Sequence, residues 1–174
     1  VLVFAKNKKA AADLSNQISN GTMKKFYYAL IYGTPIRERD TLEDYLYKDG
    51  RENLSLIVNA TFPDAKKAIL NYRHCSTLMV LEEGEEVSLM EIELLTGRHH
   101  QIRAQMSNAG MPLLGDSKYG SDRSKELSRD IGCKNVALCA YKLSFNHPVT
   151  HKEMVFEREP DEELFDPFLN EGIL

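Results

Sequence analysis

The chain has 174 residues, 43% apolar and 28% charged, with a formal net charge of −4, enough for one domain with a real core. No apolar run approaches the roughly 18 residues of a membrane helix and no leader pattern is visible, so no membrane association is expected. Cys75, Cys133 and Cys139 are odd in number and lack zinc-ligand spacing, which fits reduced cytoplasmic thiols rather than a disulfide framework.

The charge is uneven. Residues 153–171 hold eight acidic side chains and one basic, Arg158, a net of −7 that leaves the rest at +3. A mildly basic body with an acidic tail from about residue 157 is compatible with a cationic groove and equally with a mixed, solvated surface. The tail itself reads as a solvated end.

The chain opens on "VLVF", a buried strand by pattern, without an initiator methionine; a part preceding Val1 is therefore expected. "NKKAAADLSNQISNG" predicts a helix with Asn7 as N-cap, Ala11, Leu14 and Ile18 on one face, and Gly21 as its stop. "FYYALIYG" predicts a strand, and "TLEDYLYKDG" a turn or short helical piece closed by Asp49-Gly50. "NLSLIV", "AKKAILNYR", "TLMVLE" and "VSLMEIELL" read as strands, the last two joined by a hairpin over Glu82–Glu86 around Gly84. In the last, Met90, Ile92 and Leu94 face one way and Glu91 and Glu93 the other. "GRHHQIRAQMSNAG" predicts a helix with Thr96 as N-cap, a buried stripe of Ile102, Met106 and Ala109, and a stop at Gly110. A loop "MPLLGDSKYGSD", a short helix "RSKELSRDIG", a strand "VALCAYKLSF", a turn "NHPVTHKE" and a strand "MVFE" complete the series. Strands dominate without βαβ alternation, which predicts a single α+β domain with a mixed, mainly antiparallel sheet and inserted helices.

The densest chemistry lies in "LLTGRHHQIRAQM", residues 94–106. A metal site there is disfavoured. His99 and His100 would point about 100° apart on a helix, the i+4 partner of His99 is the cation Arg103, and Pro148 argues against a shared helix for His147 and His151. An anion site fits better, because a Thr-Gly turn into a helix presents free N–H groups and Arg98 adds a planar fork suited to phosphate. Arg103 lies close to the buried stripe with no carboxylate three or four residues away on the helix. Its partner must come from elsewhere in the fold or from a ligand. A solvated arginine is the commoner situation, but the density of polar groups favours a site. Gly115-Asp116 reads as a turn.

In "KKFYYALIYG", residues 24–33, Lys24 and Lys25 precede a strand carrying Tyr27, Ala29 and Ile31 on one face and Phe26, Tyr28, Leu30 and Tyr32 on the other. Cations beside aromatic rings can stack bases and hold phosphates; the same rings serve equally as core and edge residues.

Together these stretches resemble RluA-type RNA pseudouridine synthases. "TGRHHQIRAQM" is similar to that family's T-G-R-x-H-Q-[IL]-R-x-H-M motif, "KKFYYALIYG" to its K-x-Y-x-A-x-x-x-G strand, and "PLLGDSKYG" to its P-I-x-G-D-x-x-Y-G loop. "LCAYKLSFNHP" and "MVFE" resemble its closing strands. Gln105 and Cys139 stand where the family has histidines. The family's H-R-L-D-x-x-T-S-G segment, with its catalytic aspartate, would fall just before Val1.

The resemblance implies a pseudouridine synthase-like catalytic domain, N-terminally incomplete over residues 1–174, that isomerises a uridine in rRNA or tRNA without cofactor or metal. It implies that Arg103 ion-pairs with the absent aspartate and that Tyr27 stacks on the flipped uracil. Lys24, Lys25 and Arg98 would hold phosphates, and His100 and Gln101 would shape the helix start and contact RNA backbone. A cytoplasmic monomer, inactive without the aspartate segment, is expected. Two other readings stand beside it: a non-catalytic RNA-binding module on the same fold, and a phosphate- or metal-dependent hydrolase built on the histidines.

Overall fold

Alternating apolar residues in seven segments build one sheet. A computed structural model describes residues 1–80, 84–161 and 163–169. The strands are β1 (Lys24–Tyr32), β2 (Arg39–Asp49), β3 (Leu54–Val58), β4 (Lys66–Val80), β5 (Glu85–Leu94), β6 (Leu138–Asn146) and β7 (Glu153–Glu157), in the spatial order β3-β2-β4-β5-β1-β6-β7. Every pairing is antiparallel. Helix α1 (Lys8–Ser19) precedes the sheet, α2 (Gln101–Asn108) and α3 (Asp122–Asp130) lie between β5 and β6, and α4 (Asp166–Leu169) closes the described chain.

The two faces of β1 divide the core as the alternation requires. Ala29 and Ile31, with Tyr27 beside them, join Met90, Ile92 and Leu94 of β5 and Ile102 and Met106 of α2 in one cluster. Leu30, Tyr28 and Tyr32 face a second cluster with Val87, Leu89 and Leu127 of α3. The α2 side of the sheet is thus fixed by one strand's register.

Several expectations are corrected. "VLVF" forms no strand: Val1 and Val3 pack beside Leu14 and Leu143 while Leu2 and Phe4 are 80% and 84% exposed. β6 already has β1 on one edge and β7 along much of the other, so the entering segment finds one backbone acceptor, Ala140 O, for the Val1 amine. The segment "TLEDYLYKDG" is strand β2, paired on both sides by β3 and β4; sheet pairing overrides the weak β-propensity of its charged residues. Only its end turns as expected, with Asp49 Oδ1 accepting from the N–H groups of Arg51 and Glu52. "AKKAILNYR" and "TLMVLE" are joined in β4, which continues past a register shift between His74 and Ser76. The hairpin expected over Glu82–Glu86 lies partly outside the described residues; Gly84 itself has φ +77°.

Helix α1 begins as expected, Asn7 Oδ1 accepting from Ala10 N at 2.9 Å, but it buries Leu14 and Gln17 and leaves Ala11 and Ile18 exposed. The acidic tail is not merely solvated. Phe165 and Phe168 are buried in the second cluster, so two aromatic rings anchor a segment in which Asp161, Glu163 and Asp166 are exposed.

Candidate functional site

β5 ends at Leu94 and the chain turns through Thr96, Gly97 and Arg98 before α2. Thr96 does not cap the helix. Its Oγ1 accepts from Ile69 N at 2.8 Å and donates to Gln101 Oε1 at 2.8 Å, tying the turn to β4. The helix starts at Gln101 because His100 takes a left-handed backbone, φ 48°, and supplies no side-chain cap. The N–H of Arg98 donates to Gln101 Oε1 at 3.0 Å, so the Thr-Gly turn spends on the protein a donor that an anion site would present. His99 and His100 precede the helix and stack, ring centroids 3.8 Å apart. Ala109 is exposed, and the buried face of α2 instead holds Ile102, Ala104 and Met106 with two amides.

Those amides are Gln101 and Gln105. Gln101, 2% exposed, donates to Ile69 O and to Gln105 Oε1. Gln105, fully buried, shares its Nε2 among Leu42 O, Asp44 Oδ2 and Ala68 O. A buried amide left unpaired costs about 1–3 kcal/mol, and here every group is satisfied by β2, β4 or the turn. Gln101 thus joins the turn to the helix start and has neither exposure nor spare amide groups with which to contact RNA.

Arg103 finds its carboxylate in the loop after α2. Its Nε donates to Asp116 Oδ2 at 2.7 Å and its Nη2 to Asp116 Oδ1 at 2.6 Å. Side-chain exposure is 16% for Arg103 and 1% for Asp116. Asp116 Oδ1 also accepts from the N–H groups of Lys118 and Tyr119. The Gly-Asp pair is thus a turn, as its sequence suggested, and the ion-pair partner that spacing along the helix did not supply. Burial alone would raise the Asp116 pKa; the Arg103 guanidinium and the two backbone donors outweigh it and lower it. Arg103 is held above its ordinary value by the same pair.

The guanidinium carbon of Arg103 sits 5.0 Å from the ring centroid of Tyr119. Tyr119 Oη accepts from Ser55 N at 2.6 Å and lies 3.1 Å from His100 Nδ1. Ser55 Oγ donates to His99 O at 2.5 Å. Burial first, then Arg103, His99 and Lys118, push His100 down to about 4; it is a neutral ring at neutral pH, so Nδ1 can accept the Tyr119 proton. This chain of contacts links α2, the 111–121 loop and β3.

Tyr27 is half-buried on the α2 side of β1, between Ile92 of β5 and Ala140 of β6. It lines a cavity of about 160 Å³ with Val1, Val3 and Lys25. Burial raises its phenol pKa. Lys25 shares this side: a Cβ on Gly97 would stand 3.4 Å from its Nζ, and burial, then Arg98, lower its pKa. Arg98 is exposed and donates from Nε to Lys67 O at 2.9 Å. Among the described residues neither Lys25 nor Arg98 has an acidic partner in an ion pair. Lys24 differs from its neighbour: it points to the opposite face and pairs with Glu93 at 3.2 Å.

This chain is similar in sequence and fold to proteins of one family. The family described as RNA pseudouridylate synthase matches residues 1–108. An uncharacterized RNA pseudouridine synthase of Bacillus subtilis, YlyB, is 33% identical over 164 residues, covering 94% of this chain and 49% of the relative. The ribosomal large subunit pseudouridine synthase C of Vibrio cholerae is 29% identical over 154 residues, covering 88% and 46%. Human RNA Pseudouridylate Synthase Domain Containing 1 shares the fold at a TM-score of 0.71 and 24% identity, over 90% of this chain and 62% of that one. The chain belongs to the RNA pseudouridine synthase family, in its RluA-type branch. It spans about half the length of the curated relatives it matches.

Proposed function

We propose that the chain is the greater part of the catalytic domain of an RNA pseudouridine synthase, monomeric and cytoplasmic, that isomerises one uridine of a structured rRNA or tRNA without a cofactor. The observation carrying this reading is the arginine of the family motif, Arg103, fixed by Asp116 on a helix, α2, that packs on the Tyr27 side of the sheet. The reaction breaks N1–C1′ and forms C5–C1′, and its target must leave the stack to be reached.

In this reading the nucleophilic aspartate comes from sequence preceding Val1. The Val1 amine hydrogen-bonds to Ala140 O, and Val1 and Val3 line the cavity of Tyr27, so a residue just upstream would lie near that ring. Arg103 has five N–H donors and Asp116 engages two, leaving the rest for a second carboxylate or the substrate. Asp116 is a positioning residue, not the nucleophile. Tyr27 stacks on the extruded uracil, worth about 1–3 kcal/mol per base, and Lys25 and Arg98 hold flanking phosphates. Residues 1–174 alone are inactive for want of the nucleophile.

The test is tritium release from C5-labelled uridine in bulk RNA by the full-length gene product. Release is expected from the native protein and not from Arg103→Ala. Undiminished turnover by Arg103→Ala would remove that residue from the mechanism. RNA binding with no release by the full-length native protein would leave only a binding module.

A further inference from the structure

The loop that carries Asp116 also borders a cavity outside the groups described so far. Its volume is about 480 Å³, and it is lined by residues 115–117, by Lys125, Ser128 and Arg129 of α3 and by residues 132–134. Three cations line it. Lys125 and Arg129 are four residues apart on α3 and share a face, and Lys134 enters from the segment after the helix. Among the described residues none of the three belongs to an ion pair. The acidic residue at the wall, Asp116, has its carboxylate committed to Arg103 and its side chain almost wholly buried.

Like charges four apart on a helix repel. Arg129 in the last turn of α3 is favoured there by the helix dipole. The wall is closely packed: a Cβ on Gly115 would stand 1.8 Å from Asn135 O, so the loop and the segment holding Lys134 are in contact. Among the described residues no aromatic ring lines the cavity, so a base has no platform there to stack on. A mononucleotide is a poor fit, and a sugar-phosphate backbone is a good one.

We propose that this cavity is a subsite for backbone phosphates of the bound RNA outside the target nucleotide, with Lys125, Arg129 and Lys134 as its cations. The proposal rests on RNA being the ligand of the neighbouring site.

The experiment measures binding of a fluorescently labelled RNA hairpin to the full-length gene product by anisotropy across a salt series. The triple substitution K125Q/R129Q/K134Q is compared with K8Q/K9Q/K152Q, which removes the same charge from other exposed positions. The cavity triple is expected to weaken binding at least about tenfold and to lower the log–log salt slope by roughly 2 to 3, with the control changing little. Lys134→Gln, which lies outside the helix, should lower the slope by roughly 0.7 to 0.9 and guards against a triple variant that misfolds. A cavity triple and a Lys134→Gln variant that both bind like the native protein overturn the subsite alone, as does a control triple that loses as much. Tight binding of inorganic phosphate, abolished by the cavity triple, overturns it in favour of a free anion. A native protein that binds no RNA overturns the underlying reading as well.

Discussion

Arg103 of α2 and Asp116 of the following loop meet through two hydrogen bonds, Nε to Oδ2 at 2.7 Å and Nη2 to Oδ1 at 2.6 Å. Such a fork fixes the guanidinium plane more tightly than a single contact. Because Asp116 is itself held by two backbone N–H groups of its own turn, the loop orients the arginine rather than the reverse.

Asp116→Ala should therefore destabilise the fold by about 3–5 kcal/mol, the usual cost of stranding one partner of a buried pair. Urea unfolding monitored by circular dichroism reads this as a lower midpoint at unchanged slope. A loss below about 1 kcal/mol would show that the pair does not hold the loop. The same pair has a pH signature. Its folded carboxyl pKa is depressed, so its stabilisation is present above the unfolded value of about 3.9 and is lost as pH falls below it. Asp116→Asn should lack this acid-sensitive component.

His100 adds a second pH dependence. Its folded pKa, pushed down to about 4, lies below the ordinary 6.5, so the unfolded state takes up a proton first as pH falls. Stability is then full above about 6.5 and declines between 6.5 and 4. His100→Asn should flatten that part of the stability curve. An NMR titration placing the imidazole midpoint near 6.5 in the native protein would contradict the burial and the cationic surroundings described.

Two glycines with nearly the same backbone angle separate strain from collision. Gly115 has φ +70° and Gly132 φ +72°. An added Cβ at Gly132 meets nothing, but at Gly115 it meets Asn135 O at 1.8 Å. Gly132→Ala should cost about 1–2 kcal/mol, from backbone strain alone. Gly115→Ala should cost clearly more, because the loop must move off residue 135. Equal thermal shifts for the two variants would count against this packing.

Phe165 tests whether the acidic tail belongs to the fold. It is fully buried in the cluster with Leu30, Val87 and Leu127. Phe165→Ala should cost about 3–5 kcal/mol, whereas a purely solvated tail would lose almost nothing on the same change in thermal melts.

Most of the strands were legible because alternation of apolar residues is written locally. Tyr27, Ala29 and Ile31 against Tyr28, Leu30 and Tyr32 divided correctly between two clusters. The exceptions share a cause. β2 carries charged residues that read as a turn, and "VLVF" reads as a strand, yet neighbouring strands decide both. Gln101 and Gln105 read as ordinary polar helix residues; nothing local marks them as the buried amide link to β2 and β4. Lys24 and Lys25 look equivalent in sequence, but a strand sends adjacent side chains to opposite faces.

By itself the sequence determined the strand-rich α+β class, the α2 and 111–121 motifs and the need for a partner to Arg103, because periodicity and residue chemistry are properties of short segments. Only the tertiary structure decided that this partner is Asp116, thirteen positions along the chain, and that the tail's phenylalanines are core. Those facts depend on which segments the folded sheet and loops bring together, and distance in space is not recorded in spacing along the chain.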